Sequence, residues 1–485
     1  MRFKVISNTV GIILKFMSLV FIFPVVFAIC CKEYTSILPF IISGGISLLL
    51  GYLFSLNDAS EKDIDKITRT EAFGIVLTVW FMICLVCTVP YLFFKLSFIN
   101  ALFEAFSGVS TTGATILTDF SIYPKTFFVY RALTQWFGGM GIIVLFVAVL
   151  PKFAVAGRQM FFAESPNPTE EKITPRIRYT ASWLWSIYVL LTVIQITCLK
   201  FAGLDFYDSI CASLTTVSAG GFSNSPTSFI GYSPKIVLIV GFFAFFAGVN
   251  SLLAYKVFIK GKINELFKSE EFKTYFFIVL IFSILIALIL VFQMNMSITD
   301  AIRAGFFETA TTITSTGSCS YDYSTWPLRA KILLFVLMFI GGSAISASGS
   351  IKISRWIYIV KYIKKELDKI VHPNAIIPIK LQNRIVAPEI GQQIIIFVMF
   401  FLAIFAATAI LVGFIEQDAI TAITGSIATL SNTGPAFDNV IGPIGNYSSL
   451  STPTKLIFMF NMFIGRLEII PFLALLNKDL WQLRR

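Results

Sequence analysis

Charged residues are scarce in this chain of 485 residues, in which Asp, Glu, Lys and Arg together make up only 13%. A soluble domain carries about 25% charged residues, and a chain of this length needs polar side chains to cover its surface. The scarcity therefore excludes a soluble, secreted or disordered protein. Hydrophobic residues make up 56% of the chain, and its apolar runs reach the ~20 residues that a helix needs to cross a bilayer. The composition predicts an all-α integral membrane protein.

Histidine is nearly absent, and the cysteines form no recognisable pattern of metal ligands. His372 is the single histidine, and the seven cysteines fall mostly inside apolar runs. Cys84 and Cys87 form a CxxC pair, but no second pair stands at metal-ligand spacing, so we expect them to serve helix packing. Neither a His/Cys metal cluster nor a His-based catalytic triad can be assembled from these residues.

Catalytic motifs are missing as well: the chain contains no HExxH, no GxSxG and no Walker A sequence. No paired carboxylates stand in mid-span, and the few charges inside the predicted spans argue against a proton-relay pump. A membrane enzyme, such as a lipid-linked transferase or an intramembrane protease, would need converging polar groups, and none are found. We therefore expect no enzyme and no bound cofactor. A structural membrane partner without transport is an alternative, but it leaves the four repeated segments described below unexplained.

The apolar runs predict about ten transmembrane helices. The segments after the second, fourth, sixth and eighth of them are rich in Lys and Arg, and so are both chain ends. The positive-inside rule then puts these segments and both termini in the cytoplasm. Such loops also explain the net charge of +11, so we expect no nucleic acid partner. The predicted spans are residues 10–31, 37–56, 73–94, 127–150, 181–199, 235–255, 275–292, 330–347, 391–414 and 454–476.

Four segments on the opposite side share a pattern that is neither a charged loop nor a full span. Each is a short semi-apolar stretch that ends in small polar residues and a glycine, and these glycines lie 108, 96 and 117 residues apart. We interpret them as an internal repeat of about a hundred residues, in which each unit is a helix, a half-helix with a glycine-ended loop, and a second helix. The segments are residues 101–114, 210–222, 305–318 and 423–435, and their glycines are Gly113, Gly221, Gly317 and Gly434. The expected division of the chain is a two-helix extension at 1–68 and pore repeats at 69–160, 161–264, 265–372 and 373–485.

A half-helix followed by extended backbone cannot face lipid, because its peptide groups would go unpaired. Four such elements can surround one axis, where glycine lets the backbone turn its carbonyl groups inward and replace the hydration shell of a cation. The C-terminal ends of the half-helices, which are partly negative, would favour a cation there. A single segment of this kind would be read as an extracellular turn, but the fourfold arrangement favours a pore. Glu104 and Glu308, in the first and third half-helices, would either brace the loops by hydrogen bonds, which we favour, or add negative potential.

The eighth predicted span changes character after Ile340. The next ten residues contain four serines and three glycines, and each glycine costs about 1 kcal/mol in a helix interior. We predict that 341–350 is unwound, lies under the filter and blocks the path in the resting state; a tight helix–helix contact of small residues is the alternative. The predicted gate residues are Gly341, Gly342, Ser343, Ser346, Ser348, Gly349 and Lys352.

Several strings resemble one known group of proteins: residues 134–141 (TQWFGGMG), 163–166 (AESP), 174–176 (TPR), 341–344 continuing to 351–352, and 465–468 (GRLE). With the four filter segments, they make the chain similar to the Trk/Ktr/HKT superfamily of potassium transporters, and within it to the bacterial TrkH type. Ser318, Ala436, Ser346 and Ser348 depart from the pattern common in that family.

The resemblance implies a K⁺-translocating subunit of the bacterial inner membrane that forms a homodimer with one pore per protomer. It also implies a separate cytosolic regulator of the TrkA type with Rossmann-like nucleotide-binding domains. This chain has no nucleotide motif of its own. Arg466 would then lie in or beside the pore below the filter, where it would oppose cation passage and belong to the gate. The plain alternative for Arg466, which stands two residues before Glu468, is an ion pair near the cytoplasmic end. Na⁺ permeation or Na⁺/K⁺ symport is the alternative, but a serine in place of the first filter glycine accompanies Na⁺ preference in this superfamily, and Gly113 favours K⁺. The expected filter residues are Thr111, Thr112, Gly113, Ala219, Gly220, Gly221, Ser315, Thr316, Gly317, Asn432, Thr433 and Gly434. The last two residues of each of these four triplets would bind the ion: Thr112, Gly113, Gly220, Gly221, Thr316, Gly317, Thr433 and Gly434.

Overall fold

The computed structural model describes residues 2–56, 67–141, 177–258, 261–382, 384–467 and 469. Several predictions lie outside these residues. They are the second half of the fourth span, the basic loop after it with the strings at 163–166 and 174–176, Glu468, and the end of the last span from residue 470 onward. The helices and strands in chain order are α1 (Phe3–Met17), α2 (Ile22–Cys30), α3 (Ile37–Ser55), α4 (Arg69–Phe93), α5 (Phe98–Val109), α6 (Lys125–Gly139), α7 (Ile177–Phe201), α8 (Phe206–Val217), α9 (Pro234–Ala247), α10 (Ser251–Phe258), α11 (Asn264–Lys268), α12 (Glu270–Met294), α13 (Ile298–Ile313), α14 (Leu328–Met338), α15 (Ile353–Val371), β1 (Lys380–Leu381), β2 (Arg384–Ile385), α16 (Pro388–Glu416), α17 (Ala419–Leu430) and α18 (Thr452–Leu467).

The protein is an all-α, multi-pass membrane protein, as predicted. Among the described residues, six helical segments are long and apolar enough to cross a membrane, and the bent pair α9–α10 makes a seventh. These seven segments correspond in order to seven of the ten predicted spans. The helices at the fourth, eighth and tenth spans, which are α6, α14 and α18, are shorter in the described part. The first span begins at Phe3, earlier than predicted. It consists of α1 and α2, which a short 3₁₀ turn at Ser18–Phe21 joins without ending the apolar run.

The four half-helices are present at the predicted places. They are α5, α8, α13 and α17, of 12 to 16 residues each. At 1.5 Å per residue such a helix is roughly 18–24 Å long, which is too short to cross the hydrocarbon core. Their C-terminal halves are buried and their N-terminal turns are more exposed. Each half-helix therefore enters the protein and ends inside it.

The sixth predicted span is wrong as a single helix, because it breaks into α9 and α10 with a bend of 108°. Gly248 and Asn250 lie at the break. The side chain of Asn250 accepts hydrogen bonds from the amides of Leu252 and Leu253, so it starts a new helix, and the carbonyl group of Gly248 accepts one from the amide of Ser343. Contacts with a distant segment thus replace the helical bonds at this point.

Two further expectations about the third repeat need correction. The helix at the eighth span ends at Met338 rather than near residue 347, which agrees with the break that is predicted after Ile340. The basic segment after it, expected as a loop, contains the 19-residue helix α15. Its apolar residues recur at helical spacing between the lysines, a periodicity that the charge pattern concealed.

The N-terminal extension packs on the first repeat. The helix α4 begins with a capping box in which the Thr68 hydroxyl accepts from the Glu71 amide and the Glu71 carboxylate accepts from the Thr68 amide. The same carboxylate accepts two bonds of 2.9 Å from the guanidinium group of Arg2. This pairing fixes the start of the chain against the start of α4.

Candidate ion pathway

The four half-helices end in the same backbone conformation. After a helical C-cap residue, the next residue has a positive φ of 55–57°, and a glycine two residues later has a φ of 68–92°. Residues other than glycine and asparagine adopt this left-handed region only at a cost of about 1–2 kcal/mol. Three of the four turns carry this cost, and the recurrence of the same conformation in all four indicates a common requirement. The first set is Thr111, Ala219, Ser315 and Asn432, and the glycines are Gly113, Gly221, Gly317 and Gly434.

The amide groups of these turns point back into the half-helices. The amides of Thr112, Gly220, Thr316 and Thr433 each donate to the carbonyl group five residues earlier, at 2.8–2.9 Å. In a trans peptide the C=O group points opposite to the N–H group of the same unit. The carbonyl groups of the preceding residues therefore point away from the half-helix ends.

The four turns close into a ring, defined here as the glycine ring (residues 110–113, 218–221, 314–317 and 431–434). A Cβ atom on Gly113 would overlap the carbonyl oxygen of Gly220, and one on Gly221 would overlap that of Thr316. Likewise, a Cβ atom on Gly317 would overlap the carbonyl oxygen of Thr433, and one on Gly434 that of Thr112. Each repeat thus touches the next, and the fourth touches the first, so the ring encloses one axis.

Side-chain hydroxyl groups brace three of the four turns. The hydroxyl of the C-cap residue bonds to that of the residue before the glycine: Ser110 to Thr112 at 2.7 Å, Thr314 to Thr316 at 2.8 Å, and Ser431 to Thr433 at 2.8 Å. Gly220 has no hydroxyl in the second repeat.

In that repeat the amide side chain of Gln135, from α6, takes over the brace. It donates to the carbonyl group of Gly220 at 2.7 Å and accepts from the amide of Phe222 at 3.0 Å. Sequence reasoning missed this role of Gln135, although the residue lies in the string at 134–141. A glycine in the position of a threonine was the available signal that another group must support the turn.

Glu104 braces the first repeat, as favoured from the sequence. The residue is fully buried, and its carboxylate pairs with Arg131 at 2.6 Å and accepts from the amide of Ile116 at 3.0 Å. The guanidinium group of Arg131 also donates to the carbonyl group of Ser223 at 3.0 Å and stacks on the ring of Phe222 at 3.9 Å. This buried ion pair therefore ties the segment after the first turn to the segment after the second.

Glu308 braces the third repeat in a different way. One carboxylate oxygen accepts from the amide and hydroxyl groups of Ser320 at 2.7 and 3.0 Å and from the amide of Tyr321 at 3.2 Å. Its other oxygen has no hydrogen-bond partner among the described residues. Both glutamates thus hold the chain after the glycine turn, and neither lies in the ring of carbonyl groups.

The stretch at 340–350 is non-helical, as predicted, and we call it the 340–350 loop. A bond from the amide of Gly341 to the carbonyl group of Ile351 closes its base. Within it, the amide of Gly342 donates to the hydroxyl of Ser348 at 3.0 Å, and the hydroxyl of Ser346 donates to the carbonyl group of Ser343 at 2.5 Å. The serines therefore satisfy backbone groups that a helix would have paired.

The 340–350 loop lies directly against the glycine ring. The amide of Gly349 donates to the hydroxyl of Ser315 at 2.6 Å, and a Cβ atom on Gly349 would overlap the carbonyl oxygen of Ser431. Only a glycine fits so close to the third and fourth turns. Asn432, in the ring, donates to the Thr112 hydroxyl at 3.0 Å and to the Met462 carbonyl group at 2.9 Å, so α18 also contacts the ring.

Two cationic side chains hold the loop. The ammonium group of Lys352 contacts the carbonyl group and hydroxyl of Ser348 and the carbonyl group of Ser346. Arg466, from α18, donates to the carbonyl group of Ala347 at 2.8 Å and to those of Gly138 and Gly139 at 2.7 and 2.6 Å. Arg466 therefore joins the end of α6, the loop and α18 into one unit beside the ring.

Cavities lie on both sides of these elements. A cavity of about 50 Å³ is lined by Gly113, Gly221 and Gly317 and by the segments that follow them. A second cavity, of about 120 Å³, is lined by Ser346–Ser350, Lys352 and Arg466. The structure thus brings the twelve predicted filter residues together in one ring and the predicted gate residues together beside it. Within the described residues, no group of three or more His, Cys, Asp or Glu side chains lies close enough to hold a metal ion.

Comparison with known proteins agrees with this architecture. The profile of the TrkH family, described as "Cation transport protein", matches residues 40–482. The chain is 33% identical over 489 residues to the Trk system potassium uptake protein TrkH of Escherichia coli K12, covering 99% of this chain and 100% of that protein. It is 31% identical over 491 residues to the protein of that name from Vibrio parahaemolyticus, with coverage of 99% and 100%.

A solved structure gives the same result. The crystal structure of the potassium transporter TrkH from Vibrio parahaemolyticus matches with a TM-score of 0.89 at 29% sequence identity, over 99% of this chain and 100% of that chain. The relatives are named as transport proteins, which agrees with the expectation of a transporter rather than an enzyme. This chain belongs to the TrkH family of cation transport proteins.

Proposed function

We propose that this protein takes up potassium ions across the bacterial cytoplasmic membrane, through a pathway on the axis of the glycine ring. The observation that carries the proposal is the closed ring of four glycine turns, each in contact with the next. The names of the relatives, which are potassium uptake proteins, support K⁺ as the ion.

Backbone carbonyl groups of the glycine ring would replace the water around the ion. No hydrogen bond is donated by any described residue to the carbonyl oxygens of Thr112, Thr316 or Thr433, so these oxygens have free lone pairs. The carbonyl oxygen of Gly220 accepts one bond from Gln135, which leaves it one lone pair. Carbonyl groups are weaker ligands than carboxylates, so an ion that they hold can also leave, as conduction requires. The C-terminal ends of α5, α8, α13 and α17 add negative potential in the ring. The proposed ion-binding residues are the pairs 112–113, 220–221, 316–317 and 433–434.

The 340–350 loop is the proposed gate. It lies against two of the four turns and is held by Lys352 and Arg466, so a cation leaving the ring on that side meets both the loop and two positive charges. Such a loop can have two arrangements that differ by little energy, since it has no helical bonds to break. A cytosolic regulator with nucleotide-binding domains would bias these arrangements, provided that it binds one of them more tightly.

The proposed orientation places this loop on the cytoplasmic side. Lys361, Lys364, Lys365 and Lys369 follow it on α15, and such clusters mark cytoplasmic segments. Both termini are then cytoplasmic. We also propose the division into a two-helix extension (1–68) and four repeats. A homodimer with one pathway in each protomer is part of the same proposal.

A flux measurement tests this function. The purified chain is reconstituted into liposomes, and uptake of radioactive Rb⁺ is followed with K⁺ or Na⁺ as the competitor. We expect K⁺ to suppress the uptake strongly and Na⁺ to suppress it weakly. The Gly434→Ser variant is tested in the same way and should show altered uptake, because its added side chain would overlap the carbonyl oxygen of Thr112. Absence of uptake, or uptake that is unchanged in this variant, contradicts the proposal.

Na⁺ permeation, alone or coupled to K⁺, is the second candidate. The glycine at position 113 is the observation against it, because a serine there would alter the carbonyl ring. Equal suppression of Rb⁺ uptake by Na⁺ and K⁺ would favour this alternative.

A further inference from the structure

A polar cavity of about 490 Å³ adjoins the 340–350 loop at Ala344 and Ile345. Its walls come from α10, α11, α12, α15 and the β1–β2 hairpin, and we call it the hairpin cavity. Its volume falls in the range of about 300–1,000 Å³ that is typical of small-molecule sites. Neither the proposed ion pathway nor the proposed gate explains a cavity of this size.

The lining of the hairpin cavity carries more positive than negative groups. Two of its three carboxylates are paired within the lining, Glu265 with Lys268 and Glu270 with Lys361. Three further cationic side chains belong to the same lining and form no ion pair with any described residue: Lys256, Lys380 and Arg384. They come from α10 and from the two strands of the hairpin, so the fold brings them together from separate parts of the chain.

A buried hydroxyl group in the wall also points to a ligand. The side chain of Ser354 is 9% exposed, and its oxygen has no hydrogen-bond partner among the described residues. Buried polar atoms are almost always paired, and an unpaired one costs about 1–3 kcal/mol. Ser354 belongs to the lining of the cavity, so an acceptor atom there would satisfy this hydroxyl once the side chain turns toward it.

The third carboxylate links the cavity to the 340–350 loop. Glu271 is 3% exposed, and it accepts a hydrogen bond of 2.6 Å from the amide of Ala344. The hairpin cavity therefore shares a wall with the segment that is the proposed gate. A ligand that fits better in one arrangement of the loop would shift the loop toward it.

We propose that the hairpin cavity binds a phosphate-bearing anion next to the gate. Lysine and arginine are the residues that recognise phosphate groups, the latter with a planar fork of donors, and a hydroxyl donor completes such a site. The same chemistry is offered by a soluble polyphosphate and by the headgroup of an anionic phospholipid. The inference relies on the proposed function only for its effect on ion flux, since binding itself is independent of transport.

Binding is measured on the full chain in phosphatidylcholine nanodiscs, with inorganic pyrophosphate as the soluble probe and the thermal midpoint of unfolding as the readout. The test variant is K380Q/R384Q. The matched control is K364Q/K369Q, which removes the same charge from α15 outside the cavity. We expect pyrophosphate to raise the midpoint of the wild type and the control, and to bind the test variant at least about tenfold more weakly, because two charged partners are lost.

Nanodiscs that also contain phosphatidylglycerol separate the two sources. If the lipid raises the midpoint of the wild type and the control but not of K380Q/R384Q, while pyrophosphate has no effect, the ligand is a headgroup. An equal response of the test variant and the control to every probe overturns the site, and so does the absence of any response. Ser354→Ala, which keeps the charge, should weaken binding severalfold. If Rb⁺ uptake is absent from all these proteins while binding differs between them, the transport proposal fails and the cavity assignment stands.

Discussion

Removing the Arg466 side chain should open the proposed gate. In the structure this guanidinium group donates to the carbonyl group of Ala347, in the 340–350 loop, at 2.8 Å. Two bonds to Gly138 and Gly139 hold the guanidinium group in place. If the loop must leave the axis for ions to pass, the bond to Ala347 is broken in the open form and intact in the closed form.

The expected increase in uptake is set by the hydrogen bond from Arg466 to the carbonyl group of Ala347. A hydrogen bond to a charged group contributes about 1.5–3 kcal/mol, which corresponds to roughly a tenfold to 150-fold change in the ratio of open to closed forms. Loss of the positive charge beside the path lowers the barrier for a cation as well, so both effects have the same sign. We expect Arg466→Ala to raise Rb⁺ uptake into liposomes by about tenfold or more.

The comparison needs two further proteins. Arg329→Ala removes an exposed arginine from the first turn of α14 and should leave uptake unchanged. Arg466→Lys keeps the charge but loses the fork of donors, so it should fall between the wild type and Arg466→Ala. Uptake by Arg466→Ala that equals or falls below that of the wild type, at a normal amount of inserted protein, would refute the reasoning.

Three further outcomes are expected. Gly113→Ser should relax the selectivity for K⁺ over Na⁺ in the uptake assay, because the new side chain overlaps the carbonyl oxygen of the second repeat; Gly45→Ser, where a Cβ atom meets open space, should retain wild-type selectivity. In a thermal unfolding assay, Glu104→Gln should lower the free energy of unfolding by about 3–5 kcal/mol, because it leaves the buried charge of Arg131 without its ionic partner. Asp300→Asn, whose partner Arg303 is partly exposed, should change that free energy by less than about 1 kcal/mol. Deletion of residues 343–350 should raise basal uptake and weaken its dependence on the regulator, and uptake at the wild-type level would count against the gate.

Local features of the chain were enough to predict much of the architecture. Span length and hydropathy depend on consecutive residues, so the helices were found in the right order. The glycine turns were found because a left-handed turn at the end of a short helix favours small residues, and this requirement left the same pattern in four places. The unwound stretch was predicted for the same kind of reason, since four serines and three glycines in ten residues weaken a helix wherever they lie.

The bend at 248–250 could not be read in this way, because the bond that replaces the helix there comes from Ser343, about 95 residues away in sequence. The brace from Gln135 and the pairing of Glu104 with Arg131 likewise depend on which helices meet. For Arg466 the sequence left two readings open, and the contacts with Ala347, Gly138 and Gly139 exist only because α6, α18 and the 340–350 loop converge.

The sequence by itself determined that there are four equivalent turns, since each turn depends on the conformational freedom of its own glycine. Only the tertiary structure decided their order around the axis, with each glycine against the carbonyl group of the next repeat and the fourth against the first. That order depends on contacts between segments about a hundred residues apart. Contacts of this kind leave no periodic signal in a single chain, so they become visible only when the helices are packed.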